Sequence, residues 1–235
     1  MLDFYVQGNT LPDAYHKALT CLLQSDSLEI SVTMKVLNPL AEPRISRCMP
    51  GGFHELEQYC QEILDGILDF EAGGNWHYTY HQRYAPYLPG CIEELRRDPN
   101  TRRAVISIRD NDEDEGSEFP ACMQSIQFMI RDGALNMFVY FRSNDGVGAA
   151  FMNAFALIEL QKRVADILGI PVGEYTHRAN SFHCYPEKQE TLAKYVTRIL
   201  SGGATTYRYD EDFAPLMEGE KSAIAEMVEE QRAKK

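Results

Sequence analysis

The sequence lacks the features that mark membrane-spanning, secreted and dinucleotide-binding proteins. No apolar run approaches the roughly 20 residues that a helix needs to cross a bilayer. The N-terminal segment Met1-Leu2-Asp3-Phe4-Tyr5 does not have the basic-then-apolar layout of a signal peptide. There is no internal repeat, no linker rich in Gly, Pro or Ser, and no glycine fingerprint for a dinucleotide. We therefore expect a cytoplasmic protein without a membrane partner, folded as a single domain over residues 1–235.

Cysteine pairs with metal-binding spacing are also missing, and basic residues are outnumbered by acidic ones. The six cysteines include no C-x-x-C pair and no finger-like spacing with histidine. We therefore expect reduced thiols that mostly fill the core, and no metal site. The formal net charge of −12 argues against a nucleic-acid partner. It is compatible with a mononucleotide, because a few local arginines suffice to bind one phosphate.

Apolar spacing and turn signals predict a mixture of helices and strands. Helices are predicted over residues 11–24, 53–68, 151–168 and 218–235, and strands over 28–37, 103–109, 126–131, 134–141 and 174–185. Asp132-Gly133 favours a type I′ turn between two of these strands, and Gly169 is typical of a helix end. The acidic segment 111–118 is interpreted as a solvated loop. Because strands and helices intermix without a βαβ rhythm, we expect the α+β class.

The most informative feature is the set of polar residues that follows Cys122. A thiol, a guanidinium, an amide and an imidazole/phenol pair can together form a site for an anionic, hydrogen-bonding substrate. His183 and Tyr185, at a spacing of two, are expected on the same side of the last predicted strand. This combination of residue types therefore indicates covalent chemistry on a nucleotide. In chain order the residues are Cys122, Gln127, Arg142, Ser143, Asn144, Asp145, Asn153, His183 and Tyr185.

The order and spacing of these residues resemble those of the thymidylate synthase family, which includes the pyrimidine nucleotide hydroxymethylases. Within that family the sequence is most similar to the short, archaeal-type members. The resemblance implies an α+β fold with a mixed or antiparallel sheet that dimerises through the sheet. It also implies transfer of a one-carbon unit from a methylene-carrying reduced folate or related pterin to C5 of a pyrimidine nucleotide. The segments that carry it are Pro120-Ala121-Cys122, Gln127-Phe128, 142–145, Phe151-Met152-Asn153 and His183-Cys184-Tyr185, extended backwards by 98–103, Tyr78-x-x-x-x-Arg83 and His54-Glu55-Leu56.

The resemblance also implies the catalytic residues. Cys122 would add to C6 of the pyrimidine ring and so make C5 a carbon nucleophile. Arg142 would supply positive charge near the thiolate and hold the 5′-phosphate. Tyr78 matches the tyrosine beside the nucleophile. Glu55 matches the glutamate that organises water and proton transfer near C5, with Glu57 as a close rival.

Further residues match the substrate-binding positions of the family. Asn153 would read the pyrimidine by donating to O4 and accepting from N3–H of uracil, where hydroxymethylases acting on cytosine place an aspartate. His183 and Tyr185 match the pair that binds the sugar 3′-hydroxyl. Asp145 matches the aspartate that contacts the pterin ring, and Ser143 would bind the phosphate. Gln127 and Asn144 are assigned to the substrate site because they belong to the set of polar residues that follows Cys122.

The remaining phosphate ligands are expected to be arginines. Arg102 and Arg103 resemble the adjacent pair that reaches the phosphate in the partner subunit's site, which implies a symmetric homodimer. A solvated pair is the simpler alternative for these two. Either Arg44 or Arg47 would complete the phosphate site from a loop, and the sequence does not choose between them.

Several departures from the family pattern leave the product open. The usual histidine after the nucleophile is Met123, the usual glycine and aspartate before His183 are Asn180 and Ser181, and Ala149 replaces a glycine. Trp76 is the only tryptophan, and the chain ends without the apolar tripeptide that closes over the cofactor. Closure matters because a methylene left on C5 gives a methyl group with hydride but a hydroxymethyl group with water.

Three functions are therefore carried forward. The first is conversion of dUMP to dTMP. The second is 5-hydroxymethylation of dUMP or of a cytidine nucleotide. The third is a catalytically silent nucleotide-binding protein, which would be expected to lose Cys122 or Arg142 first.

Overall fold

A computed structural model of the chain describes residues 1–74 and 76–234. The helices are α1 (Leu11–Leu23), α2 (Phe53–Asp65), α3 (Tyr80–Tyr84), α4 (Leu88–Arg97), α5 (Asn111–Asp114), α6 (Ala150–Leu168), α7 (Gln189–Leu200) and α8 (Ala214–Ala233). The strands are β1 (Leu2–Gly8), β2 (Glu29–Val36), β3 (Ile45–Ser46), β4 (Val105–Ser107), β5 (Met123–Arg131), β6 (Ala134–Asp145), β7 (Val172–His183) and β8 (Thr206–Tyr207). Short 3-10 turns lie at Asp69–Glu71 and Pro186–Lys188, and a π-helical turn at Tyr209–Phe213.

Six strands form one mixed sheet in the order β1-β2-β7-β6-β5-β4. The pairs β1/β2 and β6/β7 are parallel, and the other neighbours are antiparallel. Helices pack on this sheet, which confirms the predicted α+β fold. The expectation of no βαβ rhythm is wrong at two places, because α1 and α6 each connect a parallel pair. The first crossover was missed because β1 carries exposed side chains and was not predicted as a strand.

The hairpin of β5 and β6 forms as predicted and fixes the centre of the sheet. Asp132 and Gly133 have φ angles of 52° and 76°, as both central residues of a type I′ turn require. Arg131 therefore pairs directly with Ala134. Alternate residues of β6 share the buried face: Leu135, Met137, Val139 and Phe141. This register also determines where the polar ends of β5 and β6 meet.

Helix α6 crosses the buried face of the sheet and ends where predicted. Gly169 caps it with a left-handed φ of 68°. Ala149 is the N-cap, and Asn153 lies in the first turns of the helix. Gln161 is fully buried, and its Nε2 donates to the carbonyl of Leu135 in β6 at 2.7 Å and to that of Glu174 in β7 at 3.1 Å. One amide thus joins the helix to both strands of a parallel pair.

The acidic segment is not the solvated loop that its charge suggested. Residues 111–114 form α5, and Asp114 is buried. Its carboxylate lies 3.3 Å from Arg83, which also binds Glu113 at 2.9 Å. The negative charge is therefore compensated by a cation from the end of α3.

The terminal helix is longer at its start than the predicted range 218–235. It begins at Ala214, and its Ile224 and Val228 pack against Leu68 in the segment that follows α2. Lys235 lies outside the described residues. None of the helices in residues 1–74 and 76–234 is long and apolar enough to cross a membrane.

The Gln161 amide is expected to stabilise the fold measurably. Gln161→Ala removes donors from buried strand carbonyls and leaves a small cavity, which should lower the free energy of unfolding by about 2–4 kcal/mol. Urea unfolding measures the change. Gln24→Ala, at an exposed position after α1, is the control and should change it by about 0.5 kcal/mol or less. Equal midpoints for both variants would refute this role.

Candidate active site

Cys122 directly precedes β5, at the point where β5 and β6 pair. The backbone N–H of Arg142 donates to the carbonyl of Cys122 at 2.9 Å. The Arg142 guanidinium donates through Nε to Ala121 O at 3.1 Å and through Nη2 to Pro120 O at 2.8 Å. The same Nη2 lies 3.7 Å from Cys122 Sγ. Two backbone carbonyls thus hold a cationic donor beside a half-buried sulfur.

Two tyrosines contact the backbone around the sulfur. The hydroxyl of Tyr78 accepts a hydrogen bond from Cys122 N at 3.3 Å, and that of Tyr80 accepts one from Met123 N at 3.4 Å. Burial raises the pKa of both phenols, so both stay protonated near neutral pH. The guanidinium of Arg83 lies 5.5 Å from the Tyr78 ring centroid. The acidic segment that binds Arg83 therefore supports the tyrosine that contacts Cys122.

Asn153 is buried and belongs to a chain of side-chain hydrogen bonds. Its Nδ2 donates to the hydroxyl of Tyr59 on α2, and its Oδ1 accepts from Nδ2 of Asn144 at 2.9 Å. Oδ1 of Asn144 lies 2.9 Å from Nε2 of His177, whose Nδ1 lies 3.0 Å from the hydroxyl of Tyr175. The orientation of the Asn153 amide is therefore tied to residues on α2, β6 and β7.

Asp145 ends β6 with both carboxylate oxygens engaged. Oδ1 accepts the backbone N–H groups of Val147 at 3.0 Å and Gly148 at 2.8 Å. Oδ2 binds Nζ of Lys188 at 2.7 Å, and this hydrogen bond raises the pKa of the lysine. A Cβ at position 148 would lie 2.0 Å from that Nζ, so glycine is needed there for the ion pair. The sequence did not reveal Lys188 as a partner of Asp145.

The parallel pairing of β6 and β7 brings the polar ends of the two strands together. Ser143 pairs with Ser181, and Asp145 pairs with His183. Nδ1 of His183 lies 3.3 Å from Oγ of Ser181. Tyr185 lies beyond the end of β7, so the prediction of a strand through residue 185 is wrong there. The predicted pair still meets, because the rings of His183 and Tyr185 are 4.9 Å apart at 89°.

Arg44 is buried and its charge is compensated within the chain. Its guanidinium lies 4.9 Å from the ring centroid of Phe155 and 4.7 Å from that of Tyr209. It also forms an ion pair with Glu159. Binding a phosphate would require this arginine to leave both the carboxylate and the two rings.

Arg47 is the more available of the two loop arginines. Its guanidinium stacks on Tyr207 at 4.0 Å, and its Nε donates to Thr206 O at 3.2 Å. Among the described residues, no carboxylate forms an ion pair with it. It lines a wide cavity with Phe53, to which Glu211 and Asp212 also contribute. The geometry thus favours Arg47 over Arg44 as a phosphate ligand.

The predicted arginine pair lies away from Cys122 within one chain. Arg103 binds Glu94 at 2.9 Å and is mostly exposed, and the side chain of Arg102 is exposed as well. Gln127 donates through Nε2 to the carbonyl of Arg102 at 2.9 Å. Within residues 1–74 and 76–234, neither guanidinium is bonded to Cys122 or Arg142. Gln127 therefore holds the backbone of the pair.

Within the part of the chain that the structure describes, neither Glu55 nor Glu57 is hydrogen-bonded to Cys122, Arg142 or Asn153. The carboxylate of Glu55 accepts the backbone N–H of Gly52 at 2.8 Å, and hydrogen bonds of this kind hold its pKa below the usual range. Glu57 binds Gln61 at 2.8 Å and faces a separate cavity that Lys221 also lines. Both carboxylates serve local contacts of α2.

Glu62 is the carboxylate that lies in the cavity beside the tyrosines. This cavity of about 200 Å³ is also lined by Tyr59, Tyr78 and Tyr80. Burial raises the pKa of Glu62, and a hydrogen bond from Gln58 at 2.8 Å lowers it in part. Its two neighbours connect it to the rest of the cluster, because Tyr59 bonds to Asn153 and Tyr78 bonds to Cys122.

The sequence contained a signal for two of these missed residues. Glu55, Tyr59 and Glu62 are spaced by four and three, which places them along one face of α2. A polar face next to the predicted Tyr78 could have suggested Tyr59 and Glu62. His177 is not among the predicted site residues, because its bond to Asn144 depends on the pairing of β6 with β7, which no local pattern reveals.

A model of the thymidylate synthase family matches residues 60–212 of the chain. The "Putative thymidylate synthase" of Methanocaldococcus jannaschii is 32% identical over 184 residues, covering 71% of this chain and 79% of that protein. The "Deoxyuridylate hydroxymethyltransferase" of Pseudomonas phage M6 is 31% identical over 196 residues, covering 77% of this chain and 56% of that protein. The match therefore extends over most of the fold and includes Cys122, Arg142, Asn153 and His183.

The fold itself is also found among solved structures. Thermostable thymidylate synthase A from Bacillus subtilis superposes with a TM-score of 0.63 at 17% sequence identity. The superposition covers 79% of this chain and 83% of that one. At this identity the likeness concerns the fold.

The two loop arginines should differ in their contribution to stability. Arg44→Ala leaves Glu159 without its partner in a mostly buried position, and should lower the free energy of unfolding by about 3 kcal/mol. Arg47→Ala removes the stacking contact with Tyr207 and the hydrogen bond to Thr206 O, and should cost about 1–2 kcal/mol. Thermal and urea unfolding of the two variants give the comparison. A larger loss in Arg47→Ala would contradict the assignment.

Proposed function

Because the chain belongs to the thymidylate synthase family, we propose that it transfers a one-carbon unit to C5 of dUMP and that dTMP is the first-choice product. The single observation that carries this proposal is the Arg142 guanidinium held beside the sulfur of Cys122. A thiol next to a fixed cation is suited to attack an electron-poor ring carbon.

The proposed chemistry begins with covalent addition. The Cys122 thiolate forms a bond to C6, and the electron pair of the C5–C6 double bond moves toward C5 and O4. C5 can then form a bond to the incoming carbon and release its proton. Expulsion of the Cys122 thiolate at the end restores the C5–C6 double bond. When bound, a methylene-carrying reduced folate or related pterin would supply the carbon, leave as its amine, and for the dTMP product donate the hydride that turns the exocyclic methylene on C5 into a methyl group.

Recognition of the base is assigned to Asn153. The hydrogen bonds with Tyr59 and Asn144 fix the orientation of the Asn153 amide. They leave one N–H and one oxygen lone pair of this amide for a ligand. Uracil offers the matching O4 acceptor and N3–H donor. His183 and Tyr185 are proposed to bind the sugar 3′-hydroxyl, supported by their contact at the end of β7.

The 5′-phosphate is proposed to bind arginines from two subunits. Arg142 and Ser143 lie at the end of β6, and Arg47 is proposed as the loop arginine because Arg44 is already paired with Glu159. Arg102 and Arg103 are exposed and are not bonded to the Cys122 cluster in their own chain. A homodimer in which each chain offers this pair to its partner would give both arginines a ligand.

The residues around Asp145 fit a pterin in composition. A carboxylate and an ammonium in contact provide both an acceptor and a donor, which a pterin ring edge with its own donors and acceptors can use. Asp145 is oriented by the N–H groups of Val147 and Gly148, so its position does not depend on a ligand. Lys188 is thus proposed as a second residue of the carrier site.

A hydroxymethylated product is the second candidate. Two observations favour it: the similarity to a phage deoxyuridylate hydroxymethyltransferase, and the polar cavity lined by Tyr59, Glu62 and Tyr78. A cavity of about 200 Å³ with several polar partners has room for water. Water that reaches a methylene on C5 gives the hydroxymethyl group, so the occupancy of this cavity during turnover would decide the product.

Glu62 is proposed as the carboxylate that exchanges protons with the substrate through this cavity. It replaces Glu55 and Glu57 in that role because it alone of the three lines the cavity with Tyr59 and Tyr78. Burial raises the pKa of the Glu62 carboxyl, which makes it a stronger proton acceptor than an ordinary glutamate.

Replacing the nucleophile should abolish chemistry but retain binding. Cys122→Ser should reduce turnover of dUMP by at least about 10⁴-fold, because a serine hydroxyl beside an arginine is not ionised at neutral pH. The dissociation constant for dUMP, measured by calorimetry, should change less than about threefold. Cys21→Ser, at another half-buried free thiol, is the matched control and should retain turnover. Normal turnover in Cys122→Ser would refute the proposed mechanism.

The carboxylate assignment predicts a difference between two glutamine variants. Glu62→Gln should lower kcat by about 10²-fold and remove from its pH profile an ionisation that lies above the ordinary glutamate pKa of about 4.3. Glu57→Gln should leave that ionisation in place. Steady-state rates across pH give both readouts. Loss of the ionisation in Glu57→Gln, with Glu62→Gln unaffected, would reverse the assignment.

A further inference from the structure

The buried hydrogen bonds behind Asn153 point to a residue that controls base selectivity. We propose that Tyr175, acting through His177 and Asn144, holds the Asn153 amide in the orientation that fits uracil and disfavours cytosine. We call these four residues the amide relay. The inference rests on the proposed function, because it takes Asn153 to contact the base.

Burial makes the members of the amide relay depend on one another. Tyr175 and His177 are fully buried, and Asn144 and Asn153 are 4% and 7% exposed. A buried polar group that loses its partner is not compensated by water, and the loss costs free energy. Each donor in the relay must therefore face an acceptor.

The relay has two internally consistent arrangements. In the first, the Tyr175 O–H donates to His177 Nδ1, His177 Nε2–H donates to Asn144 Oδ1, and Asn144 Nδ2 donates to Asn153 Oδ1. In the second, the histidine carries its proton on Nδ1 and every bond runs the other way, with both amides rotated by half a turn. Imidazole and amide groups each offer a donor and an acceptor, so His177 and the two asparagines satisfy both arrangements equally.

The hydroxyl of Tyr175 makes one of the two arrangements more favourable than the other. In the second arrangement its oxygen accepts from His177, and its own O–H needs another acceptor. Among residues 1–74 and 76–234, His177 is the one recorded partner of this hydroxyl. The first arrangement pairs the Tyr175 O–H, and it is the one in which the amides of Asn144 and Asn153 are found. It leaves the O–H of Tyr59, at the other end of the chain of hydrogen bonds, to donate elsewhere. Tyr59 lines the cavity of about 200 Å³ together with Glu62, where a carboxylate or water can accept that proton.

His177 is neutral near pH 7, so protonation of its ring does not alter the preference for the first arrangement. Burial lowers the pKa of His177 to about 3, so the ring carries one proton. The ring stacks on Phe141 at 4.7 Å, and no carboxylate is hydrogen-bonded to it among the described residues. His177 is therefore a neutral link whose tautomer follows its neighbours.

The direction of the relay determines what Asn153 offers to a base. In the first arrangement the unused N–H and oxygen lone pair match O4 and N3–H of uracil. Rotation of the amide exchanges donor and acceptor, which matches the amino group and N3 of cytosine instead. A hydroxyl two side chains away from Asn153 thus sets the preference between the two bases.

The tautomer of His177 tests the relay without requiring turnover. In the ¹⁵N-labelled protein, NMR of the imidazole nitrogens should show the proton on Nε2, with Nδ1 unprotonated, from pH 6 to pH 8 (about the range over which ordinary histidine titrates). A proton on Nδ1 would overturn the inference, because the relay would then run in the opposite direction.

Tyr175→Phe tests the link to the base. Without the hydroxyl neither arrangement is favoured, so the ratio of the dissociation constants for dCMP and dUMP should fall about tenfold, or about 1.4 kcal/mol. The affinity for inorganic phosphate should not change. Asn153→Asp should also shift preference toward dCMP and serves as a positive control. An unchanged ratio in folded Tyr175→Phe, with Asn153→Asp shifted, would overturn the inference.

A matched control separates selectivity from general loss of stability. Tyr84→Phe removes another fully buried hydroxyl, which donates to Ile63 O outside the relay. It should retain the wild-type ratio, and a fall equal to that of Tyr175→Phe would contradict the inference. Because these measurements use binding, absence of turnover with a normal binding ratio would count against the proposed reaction and leave the relay supported. Failure of the wild type to bind either nucleotide would overturn both.

Discussion

The register of β5, β6 and β7 is the constraint on which the rest of the site depends. The antiparallel pairing of β5 with β6 places Arg142 beside Cys122, and the parallel pairing of β6 with β7 places Asp145 beside His183. A shift of one residue in either pair would turn these side chains to the opposite face of the sheet. The Asp132-Gly133 turn at one end and the buried alternate residues of β6 prevent such a shift. The strand pairs that stabilise the sheet are therefore the same ones that position the candidate active-site residues.

Helix α6 couples the strand register to the position of Asn153, the residue proposed to contact the base. Gln161 ties the helix to β6 and β7, and Asn153, two turns earlier, ties it to Asn144 and Tyr59. Both amides are buried, so each has strict requirements for its partners. The helix cannot rotate or slide without breaking them. The amide of Asn153 is consequently placed by the core, and its proposed preference for uracil rests on buried groups behind it.

Local signals were sufficient for much of the fold. The Asp132-Gly133 turn, the period-two pattern of β6 and the Gly169 cap were all readable from the sequence. Strand β1 was not, since its side chains are largely exposed and its pairing with β2 depends on a crossover. At the site, the order from Cys122 to Tyr185 identified the residues at the strand ends, whereas Lys188, Glu62 and His177 were missed. Each of these three acquires its partner through tertiary contacts: Asp145, the tyrosine cavity and Asn144, respectively.

The central claim is that this site adds one carbon to C5 of a uracil nucleotide. Mass analysis of the nucleotide after incubation with dUMP and methylene-tetrahydrofolate tests it most directly, with fragmentation to place the added group on the base. The account predicts a product heavier than dUMP by one CH₂, with the increment on the base and dihydrofolate released. Recovery of unaltered dUMP from folded enzyme that binds it would contradict the account.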